Sequence, residues 1–162
     1  MKLVFDTSAL MSLTAGNVLD LVIEKFECIV PPRVREELEF LSQNHNSDGN
    51  LAKFILQFIG EKIKVLSTVN RNREGEIECA YLANELSDVA FIISDDTAAI
   101  KRLNEIIEKK LIFSTAIVYA LYVNKEISLN QSKNIIKMMQ LKRNWSDNLI
   151  FEDAKLLFGE FD

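Results

Sequence analysis

The stretch Lys2-Leu3-Val4-Phe5-Asp6 decides the fold, because it places an acid directly after an apolar run. Such a run is typical of a buried strand in a parallel sheet. A second run, Val-Ala-Phe-Ile-Ile-Ser at 89–94, ends in the same way, with Asp95 and Asp96. A carboxylate beside buried strands is unfavourable unless it meets a cation or a hydrogen-bond donor. The two runs therefore predict a polar site where both strands end.

Short apolar runs alternate with helix-like stretches along the chain. We predict strands at 2–6, 28–30, 63–67, 89–94 and 111–113, and helices at 8–14, 17–26, 32–43, 50–61, 74–87 and 97–109. Three more helices follow Ser114, with breaks near Lys125 and Asn144, and the Asn-rich stretch 43–50 is predicted to be a loop. Strands separated by helices indicate a parallel sheet covered on both faces. We expect an α/β fold, a three-layer α/β/α sandwich with a mainly parallel central sheet.

Length and composition describe one globular domain. The 162 residues are 48% hydrophobic and 27% charged, and a chain of this length and composition can form a hydrophobic core without disulfide bonds or structural metal ions. We expect a single domain over 1–162, with its core at about 1–115 and a helical C-terminal extension at about 116–162. The longest nearly apolar run, 111–123, is too short to cross a membrane. A strand directly after Met1 predicts no signal peptide, and Cys28 and Cys79 are predicted to be buried thiols, which together favour a cytoplasmic protein.

Charge and glycine content exclude several functions. With only five glycines, the chain has no dinucleotide or P-loop fingerprint. The net charge of −5 argues against a basic surface for nucleic acid, unless some of the acids hold cations. The lone His45 lies in the Asn-rich stretch and is predicted to be a surface residue rather than a general base. Trp145 and the phenylalanines are predicted to be core residues.

Helical phase separates the glutamates of the helix predicted at 32–43. At 100° per residue, Glu37 falls inside an apolar arc that is formed by Val34, Leu38, Phe40 and Leu41. Glu36 lies towards one edge of that arc, and Glu39 points away from it. Glu37 is therefore the acid that an ordinary solvated face does not explain.

The same test applies to the helix predicted at 74–87. Glu76 shares an arc with small and apolar residues, namely Ile77, Cys79, Ala80 and Ala83, whereas Glu78 is predicted to lie on the opposite, solvated face. Glu76 also stands in the first turn, where the helix dipole favours a carboxylate. Glu74 and Glu76 therefore have a structural explanation as caps of this helix.

Capping offers an alternative explanation for the strand-end aspartates as well. Asp6 precedes Thr7-Ser8, and Asp95-Asp96 precede Thr97-Ala98, so each group is suited to cap the following helix. Capping explains any one of these acids. It does not explain Glu37, which lies inside a helix, and it explains all the acids together less well than a shared site does.

Four stretches that contain acids, together with the C-terminal part, carry a resemblance to PIN-domain ribonucleases. Residues 3–10, Leu-Val-Phe-Asp-Thr-Ser-Ala-Leu, look like the opening strand and turn of that family, and residues 30–38, Val-Pro-Pro-Arg-Val-Arg-Glu-Glu-Leu, resemble its second element. Residues 75–83, from Gly75-Glu76 to Ala83, resemble the Gly-Glu-x-Glu-Ala stretch of one free-standing prokaryotic subgroup. Ile93-Ser94-Asp95-Asp96 resembles the family's hydrophobic-Thr-Asp-Asp strand end. The part from Ser114 through Trp145-Ser146-Asp147 is similar to the subgroup's helical tail.

The resemblance implies an activity and a site. It implies Mg²⁺- or Mn²⁺-dependent cleavage of RNA in a compact α/β/α fold, often by the toxin of a toxin–antitoxin pair, and often as a dimer. The implied partners are RNA, an antitoxin protein and a second copy of the chain. Clustered carboxylates without His or Cys suit these two cations. The expected catalytic acids and metal ligands are Asp6, Glu37, Glu76 and Asp96, with Asp95 as a further ligand. The apolar first two helices are the expected dimer surface.

Further residues are expected to support the site or to hold the substrate. Thr7, Ser8, Ser94 and Thr115 are expected to support the carboxylates. Arg71, Arg73, Lys101 and Arg102 lie near the site in sequence and are expected to hold the RNA backbone. The chain departs from the subgroup in two places: Ser114-Thr115-Ala116-Ile117 replaces the usual Gly-Thr-Leu-Gly, and Glu76 stands where many PIN toxins carry Asp.

Two alternative functions fit parts of the same pattern. A haloacid-dehalogenase-type phosphatase also begins with a strand that ends in Asp, but its chemistry needs a second Asp two residues later, where this chain has Ser8. A PIN-like module that binds RNA or protein without cutting would have its acids splayed apart or held in salt bridges. Convergence of the Asp6, Glu37, Glu76 and Asp96 carboxylates distinguishes the nuclease from such a module.

Overall fold

The computed structural model describes residues 1–145 and 149–161, except for the side chains of Ile100 and Lys101. Ser146 and Asp147, which belong to the quoted C-terminal stretch, lie outside these ranges. Strands and helices alternate through the first two thirds of the chain. The strands are β1 (Lys2–Phe5), β2 (Glu27–Val30), β3 (Ile63–Val65), β4 (Val89–Ile93) and β5 (Lys110–Ile112). The helices are α1 (Thr7–Ala15), α2 (Leu19–Lys25), α3 (Pro32–Leu41), α4 (Ser47–Leu56), α5 (Gly75–Glu85), α6 (Ile100–Leu103), α7 (Ser114–Val123), α8 (Leu129–Arg143) and α9 (Leu149–Phe158).

The strands form one parallel sheet with the order β3-β2-β1-β4-β5. The central strand β1 is almost entirely buried, with Leu3, Val4 and Phe5 at 0% exposure. The strand order reverses between β1 and β4, since the chain adds β2 and β3 on one side and β4 and β5 on the other. Ligands of such sheets bind at the carboxyl ends of the strands next to this reversal. The predicted α/β class and parallel sheet are confirmed.

Most predicted elements are present, but one predicted helix is wrong. The prediction at 97–109 reduces to the short α6, and residues 104–109 form turns and bends that lead back to β5. The side chain of Asn84 replaces the helical hydrogen bonds there, because it donates to the Ile106 carbonyl at 2.8 Å and accepts from the Glu108 N–H at 3.0 Å. Periodicity could not reveal this contact, since Asn84 lies on another helix.

Helix α4 begins inside the stretch that was predicted to be a loop. Asn46 caps it by accepting a hydrogen bond from the Gly49 N–H at 2.9 Å. A side chain at Gly49 would place its Cβ 2.0 Å from the Asn44 carbonyl oxygen, so only glycine fits this turn. The helix also ends at Leu56, before Gly60, which has a positive φ of 92° in the turn that follows. His45 is exposed, as predicted.

The C-terminal helices pack into the same core as the sheet. Ile117, Val118, Ile136 and Met139 are at 0–1% exposure and belong to one hydrophobic cluster with β1 and α1. Residues 9–15 of α1 are buried by this packing, so α1 offers no apolar face for a dimer. The expectation that the first helix forms such a surface is therefore wrong.

The two cysteines and most aromatic residues lie where they were predicted. Cys28 and Cys79 are free and buried, and burial raises the pKa of the Cys28 thiol to about 12. Trp145 is 4% exposed. No helix within the described residues has both the length and the apolar character that a membrane span requires.

Candidate active site

A cleft of about 250 Å³ lies at the carboxyl ends of β1 and β4. The acids predicted from all four stretches line it together. Its walls are Asp6, Thr7, Ser8, Met11, Glu37, Leu41, Asp48, Glu76, Asp96 and Arg143. The fold thus brings one acid each from the end of β1, from α3, from α5 and from the end of β4 to a single opening.

Asp6 lies at the bottom of this cleft and is 3% exposed. Its carboxylate accepts hydrogen bonds from Ser94 Oγ at 2.5 Å, from Ser8 Oγ at 2.8 and 2.9 Å and from the Ala9 N–H at 2.8 Å. The last bond is the predicted N-cap of α1, so Asp6 caps a helix and lines the cleft at once. The pKa of Asp6 is raised to about 7, chiefly by burial and also by the charge of Asp95, against the opposing effect of the hydrogen bonds.

Asp95 faces away from the cleft. Its carboxylate accepts hydrogen bonds from the Ser114 N–H at 2.9 Å and from Ser114 Oγ at 2.6 Å, and its own N–H donates to Ser8 Oγ at 2.8 Å. Burial raises its pKa, and the bonds from Ser114 counteract this effect. Asp95 therefore joins β4 to the start of α7, and Asp96 is the aspartate of the pair that lines the cleft.

Glu37 is held in the cleft by two neighbouring elements. Thr7 Oγ1 donates to its carboxylate at 2.5 Å, and the N–H of Gly75 donates at 3.0 Å. Arg33 Nε lies 3.4 Å from the same carboxylate. A Cβ at Gly75 would come within 2.7 Å of a Glu37 carboxylate oxygen, so a side chain at this position would force the Glu37 carboxylate to move.

Glu76 and Asp96 face each other across the mouth of the cleft. Burial raises the pKa of Glu76, and the charges of Asp96 and Glu74 raise it further. Arg102 bridges Glu76 at 3.0 Å and Glu74 at 2.7 Å. Asp96 also accepts hydrogen bonds from the N–H groups of Ala98 and Ala99, at 3.0 and 3.1 Å, in the turn that precedes α6. Glu74 stands at the N-cap of α5 but makes no side-chain capping bond.

Glu78 was predicted to be solvated, and this prediction is wrong. Its side chain is fully buried, and Arg71 Nε lies 2.6 Å from its carboxylate. Helix α3 packs against α5, and Arg33 and Glu36 of α3 lie near the Glu78 carboxylate. Burial raises the pKa of Glu78, and the charge of Arg71 lowers it. Glu78 belongs to the interface of α3 and α5 and does not line the cleft.

Two of the four basic residues expected to hold RNA are already paired with acids. Arg71 binds Glu36 at 3.0 Å as well as Glu78, so its charge is already compensated by two acids. Arg102 is bound to Glu74 and Glu76, and Arg73 is exposed on the loop before α5. Lys101 lies in α6, and its side chain is outside the described part of the structure.

Three of the expected supporting residues contact the site, and one does not. Thr7 binds Glu37, whereas Ser8 and Ser94 bind Asp6. Thr115 instead donates to Asp153 at 2.7 Å and so joins α7 to α9. Its role in support of the carboxylates is not borne out by any contact to them among the described residues.

Sequence reasoning did not single out Asp48, Arg143 and Phe40, which line the cleft or the cavity beside it. Arg143, at the end of α8, lines the cleft and binds Asp48 at 2.9 Å, although it is more than a hundred residues away from Glu37 in sequence. Phe40 was placed in the apolar arc of its helix, but it is 71% exposed. The sequence did offer a sign of this position, because Phe40 lies one helical turn after Glu37, and both residues line the cavity beside the cleft.

The donor chemistry of the cleft fits Mg²⁺ or Mn²⁺, because carboxylate oxygens line it and none of the described lining residues is a cysteine or a histidine. The arrangement is not that of a closed ligand set: no group of three or more acidic, His or Cys side chains among the described residues is placed to hold a metal ion. Ion pairs with Arg33 and Arg102 engage two of the carboxylates. The cleft thus holds the right donors, two of which are paired with arginines.

Comparison with known protein families agrees with the fold. The model of the family described as PIN domain (DUF3368) matches residues 2–160. Comparisons with curated proteins and with solved structures give no match. The match covers nearly the whole chain, from β1 through α9, and includes every acid of the cleft. The chain therefore belongs to the PIN-domain family.

Proposed function

We propose that the protein is a divalent-metal-dependent endoribonuclease that hydrolyses phosphodiester bonds of single-stranded RNA. One observation carries the proposal: Asp6, Glu37, Glu76 and Asp96, from four separate elements, line one cleft at the strand ends. Membership of a family whose members are generally nucleases supports it. A fold alone does not establish an activity, so the proposal depends on the acids of this cleft.

Asp6, Glu37, Glu76 and Asp96 would hold Mg²⁺ or Mn²⁺. A bound cation of this kind activates water and stabilises charge on the attacking and leaving oxygens of a phosphodiester. The hydroxyls of Ser8, Ser94 and Thr7 fix the orientation of the acids.

Arg143 is positioned to hold the phosphate of the substrate. Its guanidinium is 22% exposed in the wall of the cleft, and among the described residues it forms an ion pair with Asp48. A guanidinium binds phosphate oxygens through paired N–H donors. In this proposal Arg143 fixes the scissile phosphate over the carboxylates.

The alternative is a PIN-like module that binds RNA or a protein partner without cutting. The ion pairs of Glu37 with Arg33 and of Glu76 with Arg102 favour it, as does the lack of a closed ligand set among the described residues. A haloacid-dehalogenase-type phosphatase has no such support, because Ser8 stands where its second aspartate is required.

A metal titration with labelled single-stranded RNA tests the proposal. Wild-type protein is expected to cut the RNA in Mn²⁺ or Mg²⁺ and not in EDTA. Asp6→Asn and Glu37→Gln are expected to lower the rate about 100-fold or more, because each removes a charged ligand. Glu39→Gln is the matched control, because Glu39 lies on the same helix and pairs only with Arg35 among the described residues.

Two outcomes contradict the proposal in different ways. Undiminished cleavage by both acid variants would show that the cleft is not the catalytic site. RNA binding without cleavage at any metal concentration would favour the non-cutting module.

The same proposal includes action as the toxin of a toxin–antitoxin pair, with an antitoxin protein and a second copy of the chain as partners. Cleavage of cellular RNA by a toxin stops growth. Induced expression of the wild type in a bacterial host is therefore expected to arrest growth, whereas the Asp6→Asn protein at equal abundance is not. Equal growth of both cultures would contradict a toxin role, and sedimentation of the purified protein would report whether it is a dimer.

A further inference from the structure

A second cavity, of about 350 Å³, adjoins the carboxylate cleft. It is lined by Thr7, Arg33, Glu36, Glu37, Phe40 and Leu41. Three of these residues, Thr7, Glu37 and Leu41, also line the cleft. The two cavities are therefore neighbouring parts of one surface depression, with Glu37 between them.

Phe40 is the aromatic residue of this second cavity. Its ring is 71% exposed, whereas Phe54, the next most exposed phenylalanine of the described residues, is at 36%. Single exposed apolar side chains are common on protein surfaces, and exposure alone carries no argument. The position of Phe40 is what distinguishes it, because it stands one helical turn from Glu37 and lines the cavity that adjoins the cleft.

The charges around Phe40 favour a nucleobase over a phosphate. Glu36 and Glu37 both line the cavity, and their carboxylates would repel a phosphate group. Glu36 is compensated by Arg33 at 3.2 Å and by Arg71 at 3.0 Å, so the cavity presents paired charges and an aromatic ring. A planar, uncharged base can stack on the ring of Phe40 and on the guanidinium of Arg33. The volume is at the lower end of the range for small-ligand pockets, which suits one nucleotide.

We propose that Phe40 and Arg33 form a base-stacking subsite for the nucleotide next to the bond that is cut in the carboxylate cleft. The inference rests on the proposed function and adds a substrate class to it. A base can stack on a protein ring only after it has left its own duplex stack, so the subsite selects RNA with an unpaired nucleotide beside the cleaved bond. A duplex of the same sequence is excluded from it.

RNA binding in EDTA tests the subsite without any cleavage. The probe is a single-stranded oligoribonucleotide with 2-aminopurine at one position, whose fluorescence falls when the base stacks on a ring. Wild type and Phe40→Tyr are expected to quench one position of a scanned series. Phe40→Ala is expected to lose that quenching and to bind roughly 5- to 150-fold more weakly, the loss that corresponds to one stacked base. Leu156→Ala is the control, because Leu156 is 87% exposed and lines neither cavity.

Cleavage in Mn²⁺ gives a second readout. An RNA with one abasic nucleotide at the quenched position is expected to lose kcat/KM by a similar factor. Phe40→Ala is expected to cut this abasic RNA no more slowly than the wild type does. The abasic nucleotide has no base to stack on the ring of Phe40, so loss of the ring has no further effect. Normal cleavage of intact RNA by Phe40→Ala would overturn the subsite while the nuclease proposal stands.

The remaining outcomes are also decisive. Phe40-dependent binding without cleavage by the wild type keeps the subsite and removes the nuclease proposal. A failure of the wild type to bind single-stranded RNA overturns the subsite. Unchanged RNA binding by Phe40→Ala, together with a lower oligomer mass, would identify Phe40 as a contact between copies of the chain and would overturn the subsite as well.

Discussion

Asp6 is a carboxylate almost completely removed from water, and a second buried carboxylate, Asp95, lies beside it. Three hydroxyl or amide donors, on Ser94, Ser8 and Ala9, partly compensate for this position. The remaining penalty is visible in the pKa of Asp6, which burial raises from 3.8 to about 7. A bound divalent cation would remove this penalty, so the metal-free protein keeps an acid that opposes its own folding.

We expect the ionisation of Asp6 to lower the stability of the metal-free protein as the pH rises from about 4 to about 7. In this window the folded state holds a proton on Asp6 that the unfolded state has lost, because the folded pKa is about 7 and the ordinary value is 3.8. Stability falls with pH wherever the folded state binds more protons. The contribution of Asp6 is at most on the order of 4 kcal/mol.

Urea unfolding in EDTA at pH 5 and pH 8 measures this effect. Other acids also titrate, so the informative quantity is the difference between wild type and Asp6→Asn, whose side chain does not titrate. The variant is expected to gain stability relative to the wild type at pH 8. A constant difference between the two proteins at both pH values would contradict the raised pKa.

We expect Arg102 to compete with a metal ion for Glu76, because it forms an ion pair with this carboxylate. Its guanidinium bridges Glu76 and Glu74 but is half exposed, so the pair is weak. Arg102→Gln should therefore raise the affinity for Mn²⁺ about two- to fivefold, as measured by calorimetry without RNA. Arg35→Gln breaks another exposed pair on α3, that with Glu39, and serves as the control. An unchanged or lower affinity in Arg102→Gln would contradict this competition.

At the scale of the elements, apolar periodicity predicted the strands and the long helices, because these elements face one common core. β1, β2 and β4 lie within one or two residues of their predicted bounds. The errors occurred where a distant side chain decides the local structure. Asn84 holds residues 104–109 out of a helix, and the packing of α3 buries Glu78 on a face that its own helix marks as solvated.

Some residues of the candidate site were predictable from the sequence, and others were not. Asp6 and Asp96 end strands, and Glu37 breaks an apolar arc, so each leaves a local mark in the sequence. Arg143 leaves none, because it reaches the cleft only through the packing of α8 on α1. The choice between Asp95 and Asp96 also needed the structure, since Ser114 is what turns Asp95 away.

The approach of α5 to α3 gives a prediction at the element scale. Gly75→Ala places a methyl group against the carboxylate of Glu37, which is the flexible end of a side chain and can move aside. The variant is therefore expected to lose less than about 1 kcal/mol of stability, since alanine also favours the helix. Its RNA cleavage should fall by about tenfold or more, because Glu37 leaves its place in the cleft.

Two measurements on the same sample separate these effects: the urea midpoint and the initial cleavage rate in Mn²⁺. Ala83→Gly, later in α5 and buried away from the cleft, is the control for helix propensity. It should lose stability without a comparable loss of rate. Full activity in Gly75→Ala would mean that the position of Glu37 is not important for catalysis.

In the molecule as a whole, two parts of the chain form the walls of the cleft. The sheet with α3 and α5 supplies the acids, and α8 supplies Arg143, which binds Asp48 at the start of α4. The C-terminal helices are therefore part of the site as well as part of the core. An extension that could separate from residues 1–115 would leave the cleft without one wall.

We expect the C-terminal helices to unfold together with the sheet in one cooperative transition. Trp145, the only tryptophan, follows α8 and is buried, so its fluorescence reports on the tail alone, whereas circular dichroism reports on all helices. The two urea transitions should coincide. Met139→Ala, which removes a fully buried α8 side chain that packs close to Gly16 at the end of α1, should shift both midpoints equally and lower the stability by about 2–5 kcal/mol. An earlier fluorescence transition, with circular dichroism following later, would instead define the tail as a separate unit.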